Sequence, residues 1–293
     1  FRIAEPQYRG ARPLVELPSR HATAISCWRA ADAELLGRVD RREAAGALSA
    51  AKGGFVLQTL DLAPGDAVVC KGQFVGPARI TLRQWNPTEF RVSEVRFYYD
   101  DGWLQGGILV LLAFVLMTAV ITREILYLTF AAWLAINLRL AALSAGTDIH
   151  WLGHLIPAEG TTLLRQISLS SYYILGVALF TQLFRHDMKR IGFMPLLRLV
   201  QWSCVPLLIL TFSLSYAQFL PILWVMTTAT AAVLIFLAFR NAYLSASLVA
   251  GLYGASVATT LGGAFAEVLG EAFGLDDVLD FFVSVTSALA SSV

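Results

Sequence analysis

Charged residues are scarce in this sequence. Asp, Glu, Lys and Arg make up only 15% of its 293 residues, while 57% of the residues are hydrophobic. A soluble domain carries roughly 25% charged residues and about 45–50% apolar ones. The composition therefore excludes a wholly water-soluble protein and indicates that much of the chain lies in a membrane.

The chain also lacks an excess of charge of either sign, because its formal net charge is only +1. Nucleic-acid binding depends on clustered Lys and Arg that neutralise phosphates, so nucleic acid is excluded as a partner. The charges are distributed unevenly: fourteen of the 22 Lys and Arg and twelve of the 21 Asp and Glu precede Trp103. This division predicts a soluble domain over residues 1–102 and a membrane domain over residues 103–293.

Cysteine is rare. Cys27 and Cys70 lie in the soluble part and could form a disulfide if that part is exported, whereas Cys204 lies in an apolar run and is most simply a packing residue. Sequence separation alone does not establish the Cys27–Cys70 pair.

Familiar catalytic motifs are missing. The sequence contains no Gly-x-x-x-x-Gly-Lys-Ser/Thr, Gly-x-Ser-x-Gly, His-Glu-x-x-His or Cys-x-x-Cys pattern. We therefore expect no enzyme activity and no cofactor within this chain. It begins with Phe1 and shows no signal-peptide pattern, so we interpret its start as the edge of a longer protein.

What the sequence does contain is a series of long apolar runs. A helix needs about 20 mainly apolar residues to cross roughly 30 Å of hydrocarbon. Seven runs meet this requirement, at residues 103–121, 125–145, 162–184, 193–214, 219–239, 242–269 and 278–293. They predict seven transmembrane helices.

The basic residues of the predicted loops fall on one side of the membrane. Loops 122–124, 185–190 and 240–241 contain Lys or Arg, whereas loops 146–161, 215–218 and 270–277 contain neither. Cytoplasmic loops are enriched in these two residues. The pattern predicts a bacterial inner-membrane protein whose N-terminal domain is periplasmic and whose C-terminus is cytoplasmic.

The soluble domain has the pattern of an all-β sandwich. Its best strand candidates are short apolar runs, bounded by turn residues such as Pro64-Gly65, at residues 22–28, 55–60, 67–74 and 78–85. Residues 30–52 lack clear alternation, and we interpret them as a long loop with a helical turn.

One segment resembles a known family. Residues 78–90 read Ala-Arg-Ile-Thr-Leu-Arg-Gln-Trp-Asn-Pro-Thr-Glu-Phe, and Gly106-Gly107-Ile108-Leu109 opens the first span soon afterwards. This pairing resembles the junction between the extracellular domain and the membrane region in bacterial seven-transmembrane receptors with diverse intracellular signalling modules. The resemblance covers residues 20–293.

The resemblance implies a periplasmic jelly-roll-like domain that binds carbohydrate or another small ligand, and a homodimer. It also implies a cytoplasmic output module beyond Val293, such as a diguanylate cyclase (GGDEF), a phosphodiesterase, a histidine kinase or a phosphatase. The alternatives are a secondary transporter or an accessory membrane protein. A transporter is supported by charged residues within the spans but lacks an evident inverted repeat.

Four charged residues fall within the outer layer of the predicted spans. Arg139 or Arg165 could pair with Glu267 or Asp280 and form a polar cluster that couples ligand binding to helix movement. The alternative is that their side chains reach the interface and have no signalling role.

His150 and His154 stand four residues apart, the spacing at which two imidazoles can share a metal on a helix. No Glu follows His150, and Gly153 and Pro157 interrupt a helix. The neighbouring Trp151 favours a loop at the membrane interface instead.

Overall fold

Short alternating segments in the described part of the N-terminal third form eight strands. A computed structural model describes residues 1–3, 12–18, 22–40, 43–60, 62–74, 81–145, 158–245 and 247–273 of the chain, with side chains given for most of them. The strands are β1 (Leu14–Leu17), β2 (Ala22–Arg29), β3 (Leu35–Asp40), β4 (Ala44–Gly46), β5 (Leu48–Ala51), β6 (Gly54–Gln58), β7 (Val68–Phe74) and β8 (Arg83–Trp85).

The strands form two antiparallel four-stranded sheets. One sheet has the order β5-β6-β1-β8, and the other has the order β4-β3-β2-β7. Because successive side chains point to opposite faces of a strand, each sheet turns one apolar row inward. Val15, Phe55 and Leu57 of the first sheet pack against Ile25 and Val39 of the second in one buried core.

The predicted loop over residues 30–52 is wrong, because this stretch contains β3, β4 and β5. Gly and Ala are poor strand formers, so the local pattern was weak and pairing with neighbouring strands decides the structure. The glycines are required there. A Cβ on Gly37 would lie 2.7 Å from the carbonyl oxygen of Ala45, and Gly46 has a φ of +75°.

The remainder of the described chain is helical. The helices are α1 (Pro87–Thr122), α2 (Ile125–Ala145), α3 (Ala158–Arg190), α4 (Met194–Ser213), α5 (Tyr216–Ser245) and α6 (Leu248–Phe273). Among the described residues, five helices are long and apolar enough to cross a membrane, and α6 contains a shorter apolar stretch, Leu248–Gly262. The seventh predicted span, residues 278–293, lies outside the described residues.

Two of the predicted loops are helical instead. Residues 185–190 form the last turns of α3, and residues 240–241 lie inside α5. At 33 residues, α3 is roughly 50 Å long and exceeds the roughly 30 Å hydrocarbon layer, so its charged end can remain helical. In α5, Asn241 is fully buried and donates a hydrogen bond to Asp187 Oδ2 at 2.8 Å.

These contacts move the boundary between the fifth and sixth predicted spans. Because the side-chain hydrogen bond satisfies Asn241 within the helix packing, α5 continues to Ser245 and α6 begins at Leu248, not at residue 242. The second and fourth predicted spans agree closely with α2 and α4.

The chain divides into two compact units. The first comprises Phe1–Gln105 and Ala141–Ala158, and the second comprises Gly106–Leu140 and Glu159–Val293. We call them the β unit and the helical unit. The boundary falls inside α1, between Gln105 and Gly106.

Candidate ligand groove and polar clusters

The first turns of α1 lie against the outer face of the sheet β5-β6-β1-β8. Phe90 is buried there with Ala51 and Val56, and Trp85 packs at the edge with its ring centroid 6.3 Å from that of Phe90. The sequence Asn86-Pro87 starts the helix, since Asn86 Oδ1 accepts a hydrogen bond from the Thr88 N–H at 3.1 Å and Pro87 occupies the first helical position.

A buried ion pair lies beside this apolar contact. Lys52 Nζ is 3.3 Å from Glu16 Oε1, and the two side chains are only 9% and 5% exposed. Lys52 Nζ donates a hydrogen bond to Ser93 Oγ of α1 at 2.8 Å, and Trp85 Nε1 donates to Glu16 Oε2 at 2.5 Å. We call Glu16, Lys52, Trp85 and Ser93 the lysine latch, because they tie β1, the β5–β6 turn and β8 to α1.

Aromatic rings complete the surroundings of the lysine. Its Nζ lies 4.5 Å from the ring centroid of Trp85 and 4.6 Å from that of Phe90. A desolvated ammonium over an aromatic face gains about 2 kcal/mol. The Lys52 ammonium therefore interacts with both the sheet, through Glu16 and Trp85, and α1.

The backbone of Lys52 is held in an uncommon conformation. Lys52 and Gly53 form the two-residue turn between the paired residues Ala51 and Gly54, with φ values of 47° and 74°. A turn with two positive φ angles favours Asn or Gly at its first position. The latch contacts account for a lysine at this site, since strained backbone persists where surrounding contacts fix it.

Next to the latch lies an open groove of about 660 Å³. Its floor includes Leu14, Ala51, Val56 and Phe90, which also belong to the apolar contact between the sheet and α1. Its polar lining residues are Arg12, Ser49, Gln58, Thr59, Arg91 and Glu94. Small-molecule sites typically enclose roughly 300–1,000 Å³ and combine an apolar wall with a few polar groups.

The groove carries a net positive charge. Arg12, Arg91 and Glu94 carry two positive charges and one negative charge, and within the described ranges no ion pair joins them to another side chain. Thr59 contributes less to recognition, because its hydroxyl already donates to the carbonyl of Pro13. The two guanidinium groups can therefore donate hydrogen bonds to a negatively charged group of a small ligand.

In the helical unit, α3 is the centre of a hydrogen-bond network. The Tyr173 hydroxyl lies 2.6 Å from both Ser203 Oγ of α4 and Thr230 Oγ1 of α5. One turn earlier, Ser170 Oγ lies 2.6 Å from Thr211 Oγ1 of α4. Gln166, at the start of the same stripe, donates to the carbonyl of Leu214 at 3.0 Å. These bonds fasten α3 to its neighbours in an apolar environment.

The structure places two of the four residues of the predicted polar cluster. Arg139 Nε donates a hydrogen bond to Ser168 Oγ of α3 at 2.7 Å, and the Arg165 guanidinium lies 5.7 Å from the ring centroid of Tyr216. The side chain of Glu267, and all of Asp280, lie outside what the structure describes. Pairing of these arginines with the two acids stays a prediction.

The weak metal candidates, His150 and His154, also lie outside the described residues. In the part of the chain that the structure does describe, no three His, Cys, Asp or Glu side chains gather in a group suited to a metal ion.

The two cysteines of the β unit are joined. Cys27 and Cys70 face each other in the β2–β7 pair, with their Cα atoms 4.1 Å apart and a disulfide between their sulfur atoms. Cys27 is completely buried in the sandwich core. Cys204 is a free, half-buried thiol.

Sequence reasoning missed both the latch and the groove. One usable signal was Lys52-Gly53-Gly54 before an apolar strand, which is a weak pattern for a two-residue hairpin turn. The polar stripe of α3 had a clearer signal, because Gln166, Ser170 and Tyr173 recur at helical spacing on one face.

Comparison with known proteins identifies no relative: no protein-family model, curated protein or solved structure matches this chain.

Proposed function

We propose that this chain is a transmembrane signal receptor, in which the β unit binds a small ligand and α1 carries the response into the helical unit. The observation that supports this most is the continuity of α1. Its first turns line the groove through Phe90, Arg91 and Glu94, and its remaining turns form the most apolar of the five candidate spans. A ligand that displaces these first turns therefore acts on a helix shared by both units.

The lysine latch fixes the position from which the first turns of α1 are displaced. Lys52 links the β5–β6 turn to Ser93 through a short hydrogen bond and to Glu16 through a buried ion pair. Interactions between buried charges require close geometry, so a small shift of α1 changes their energy strongly. In this proposal, ligand binding at the groove and the state of the latch are coupled.

The location belongs to the same proposal: a bacterial inner membrane, with the β unit in the periplasm and the C-terminal end in the cytoplasm. The Cys27–Cys70 disulfide supports an oxidising compartment for the β unit. The basic residues that follow or end the first, third and fifth spans share one side of the membrane, and Lys and Arg favour the cytoplasmic side; they are Arg123, Arg185, Lys189, Arg190 and Arg240. An odd number of spans then puts the two ends of the chain on opposite sides.

The finer architecture is also proposed. The first strand pairs with the last (β1 with β8) and the second with the seventh (β2 with β7), a nesting that supports a jelly-roll-like domain. A seventh helix over residues 278–293, a homodimer and a cytoplasmic diguanylate cyclase or histidine kinase module follow the family resemblance.

A reporter fusion tests the proposal. A diguanylate cyclase module is joined after Val293, and nanobodies against the β unit are selected for loss of binding to the Arg91→Gln variant, so that they act as surrogate ligands at the groove. We expect such nanobodies to change cyclase activity, and Lys52→Met to reduce the response. A cyclase that ignores every groove-directed nanobody, together with solute uptake by the chain in proteoliposomes, would favour a transporter.

A further inference from the structure

The chemistry of the groove indicates which ligands it takes. Arg12 and Arg91 supply two guanidinium groups, whose planar donors match a carboxylate in bidentate geometry. Both side chains are solvent-exposed, so a ligand can reach them without unfolding the surrounding structure. From the charges, the size and the lining together, we propose that the groove binds a small organic molecule with one carboxylate group.

The net charge of the groove favours a carboxylate ligand over a phosphate ligand. Glu94 belongs to the same lining as the two arginines, so the groove carries a balance of one positive charge. A monoanion neutralises that balance, whereas a phosphate dianion leaves an excess of negative charge near Glu94 and is repelled by it. The carboxylate of Glu94 also accepts hydrogen bonds from ligand hydroxyl or amino groups.

The remaining lining selects for the rest of the ligand. The exposed Leu60 and the half-buried Leu14 provide an apolar surface, while Ser49 and Gln58 offer hydroxyl and amide groups. A volume of about 660 Å³ suits a molecule larger than acetate and smaller than a peptide of several residues. This inference rests on the proposed sensory role of the β unit and names the chemical class of its ligand.

Matched acid and amide probes test the carboxylate requirement. The full chain in nanodiscs of neutral phosphatidylcholine is titrated with glucuronate and glucuronamide, with benzoate and benzamide, and with phenyl phosphate, and binding is followed by ligand-observed NMR. We expect at least one acid to bind and its amide to bind much more weakly. Arg91→Gln and Arg12→Gln should each lower the affinity for the acid by about ten- to a hundredfold, the loss typical of a hydrogen bond to a charged group.

A control variant separates a specific site from a general effect of charge. Arg96→Gln removes an exposed arginine of α1 that is not part of the groove lining, so it should leave the affinity unchanged. The proposal is overturned if neither acid binds, if acid and amide bind equally, if phenyl phosphate binds more tightly than benzoate, or if Arg96→Gln weakens binding as much as Arg91→Gln.

Failure of the carboxylate ligand and failure of the receptor role give different results. Acid binding combined with a cyclase fusion that ignores groove-directed nanobodies would retain the ligand class and overturn the receptor. A nanobody response without binding of any acid would retain the receptor and overturn the ligand class.

Discussion

Lys52 Nζ donates a hydrogen bond to Ser93 Oγ at 2.8 Å, which joins a β-hairpin turn to the first helix across 41 residues of sequence. The same ammonium pairs with the buried Glu16 carboxylate. The β unit therefore holds the beginning of α1 through one lysine side chain as well as through the apolar contact of Phe90.

We expect Lys52→Met to destabilise the β unit by about 3 kcal/mol, because it leaves the Glu16 carboxylate buried without its ionic partner. The double variant Glu16→Leu/Lys52→Met should recover most of this loss. Hydrogen–deuterium exchange of the β5–β6 hairpin in the full chain measures the change. Lys71→Met, at an exposed position of β7, is the control, and an equal effect of the control would contradict the role given to the latch.

Removal of the disulfide should destabilise the β unit strongly. Cys27 and Cys70 are 43 residues apart, and closing a loop of that length lowers the free energy of folding by roughly 4 kcal/mol. We expect Cys27→Ala/Cys70→Ala to unfold the β unit at lower temperature, as measured by limited proteolysis during heating. In the native chain, maleimide labelling after denaturation without reductant should modify only Cys204; labelling of three thiols would contradict the pairing.

Tyr173→Phe should loosen the contact of α3 with α4 and α5. The substitution keeps the ring and removes the hydroxyl that contacts both Ser203 and Thr230, at a cost of about 1–2 kcal/mol. Thermal unfolding in detergent measures the loss. Tyr243→Phe serves as the control because Tyr243 is 82% exposed, and an equal loss in both variants would argue against the network.

The glycines at the unit boundary should matter for the response and not for packing. Nothing lies within 4 Å of a Cβ built on Gly106 or Gly107, yet each glycine inside a helix costs about 1 kcal/mol relative to alanine. We expect Gly106→Ala/Gly107→Ala to stiffen α1 and to reduce the nanobody-induced change in the cyclase fusion.

Gly262→Ala in α6 provides the matched control, because that glycine is also open. An unchanged cyclase response in the Gly106→Ala/Gly107→Ala variant would show that flexibility at the unit boundary is not needed.

Long apolar runs made the helices predictable. The prediction for α2 agrees at both ends, because the polar segment Thr122-Arg123-Glu124 precedes it and Arg123 breaks the helix with a φ of +56°. Boundaries failed where tertiary contacts decide them. Asn241 resembles a loop residue in sequence, but it is fully buried inside α5, where its side chain donates a hydrogen bond to Asp187 and accepts one from Ser245.

Unlike the helices, the groove and the lysine latch could not be predicted from the sequence. Glu16, Lys52, Trp85 and Ser93 come from three strand regions and a helix, and non-local pairing alone brings them together. Glu16 occupies a central strand, where charge is unusual, and the pairing of β1 with β6 and β8 brings it to Lys52 and Trp85.

A distance measurement within the β unit shows whether occupation of the groove moves the beginning of α1. Spin labels replace the exposed Val95 of α1 and Leu35 of β3 in a Cys204→Ala background, and their separation is measured in nanodiscs with and without a groove-directed nanobody. A shift of about 2 Å, the scale of helix movements in signalling proteins, is the predicted result. An unchanged distance distribution at saturating nanobody would show that occupation of the groove does not move α1.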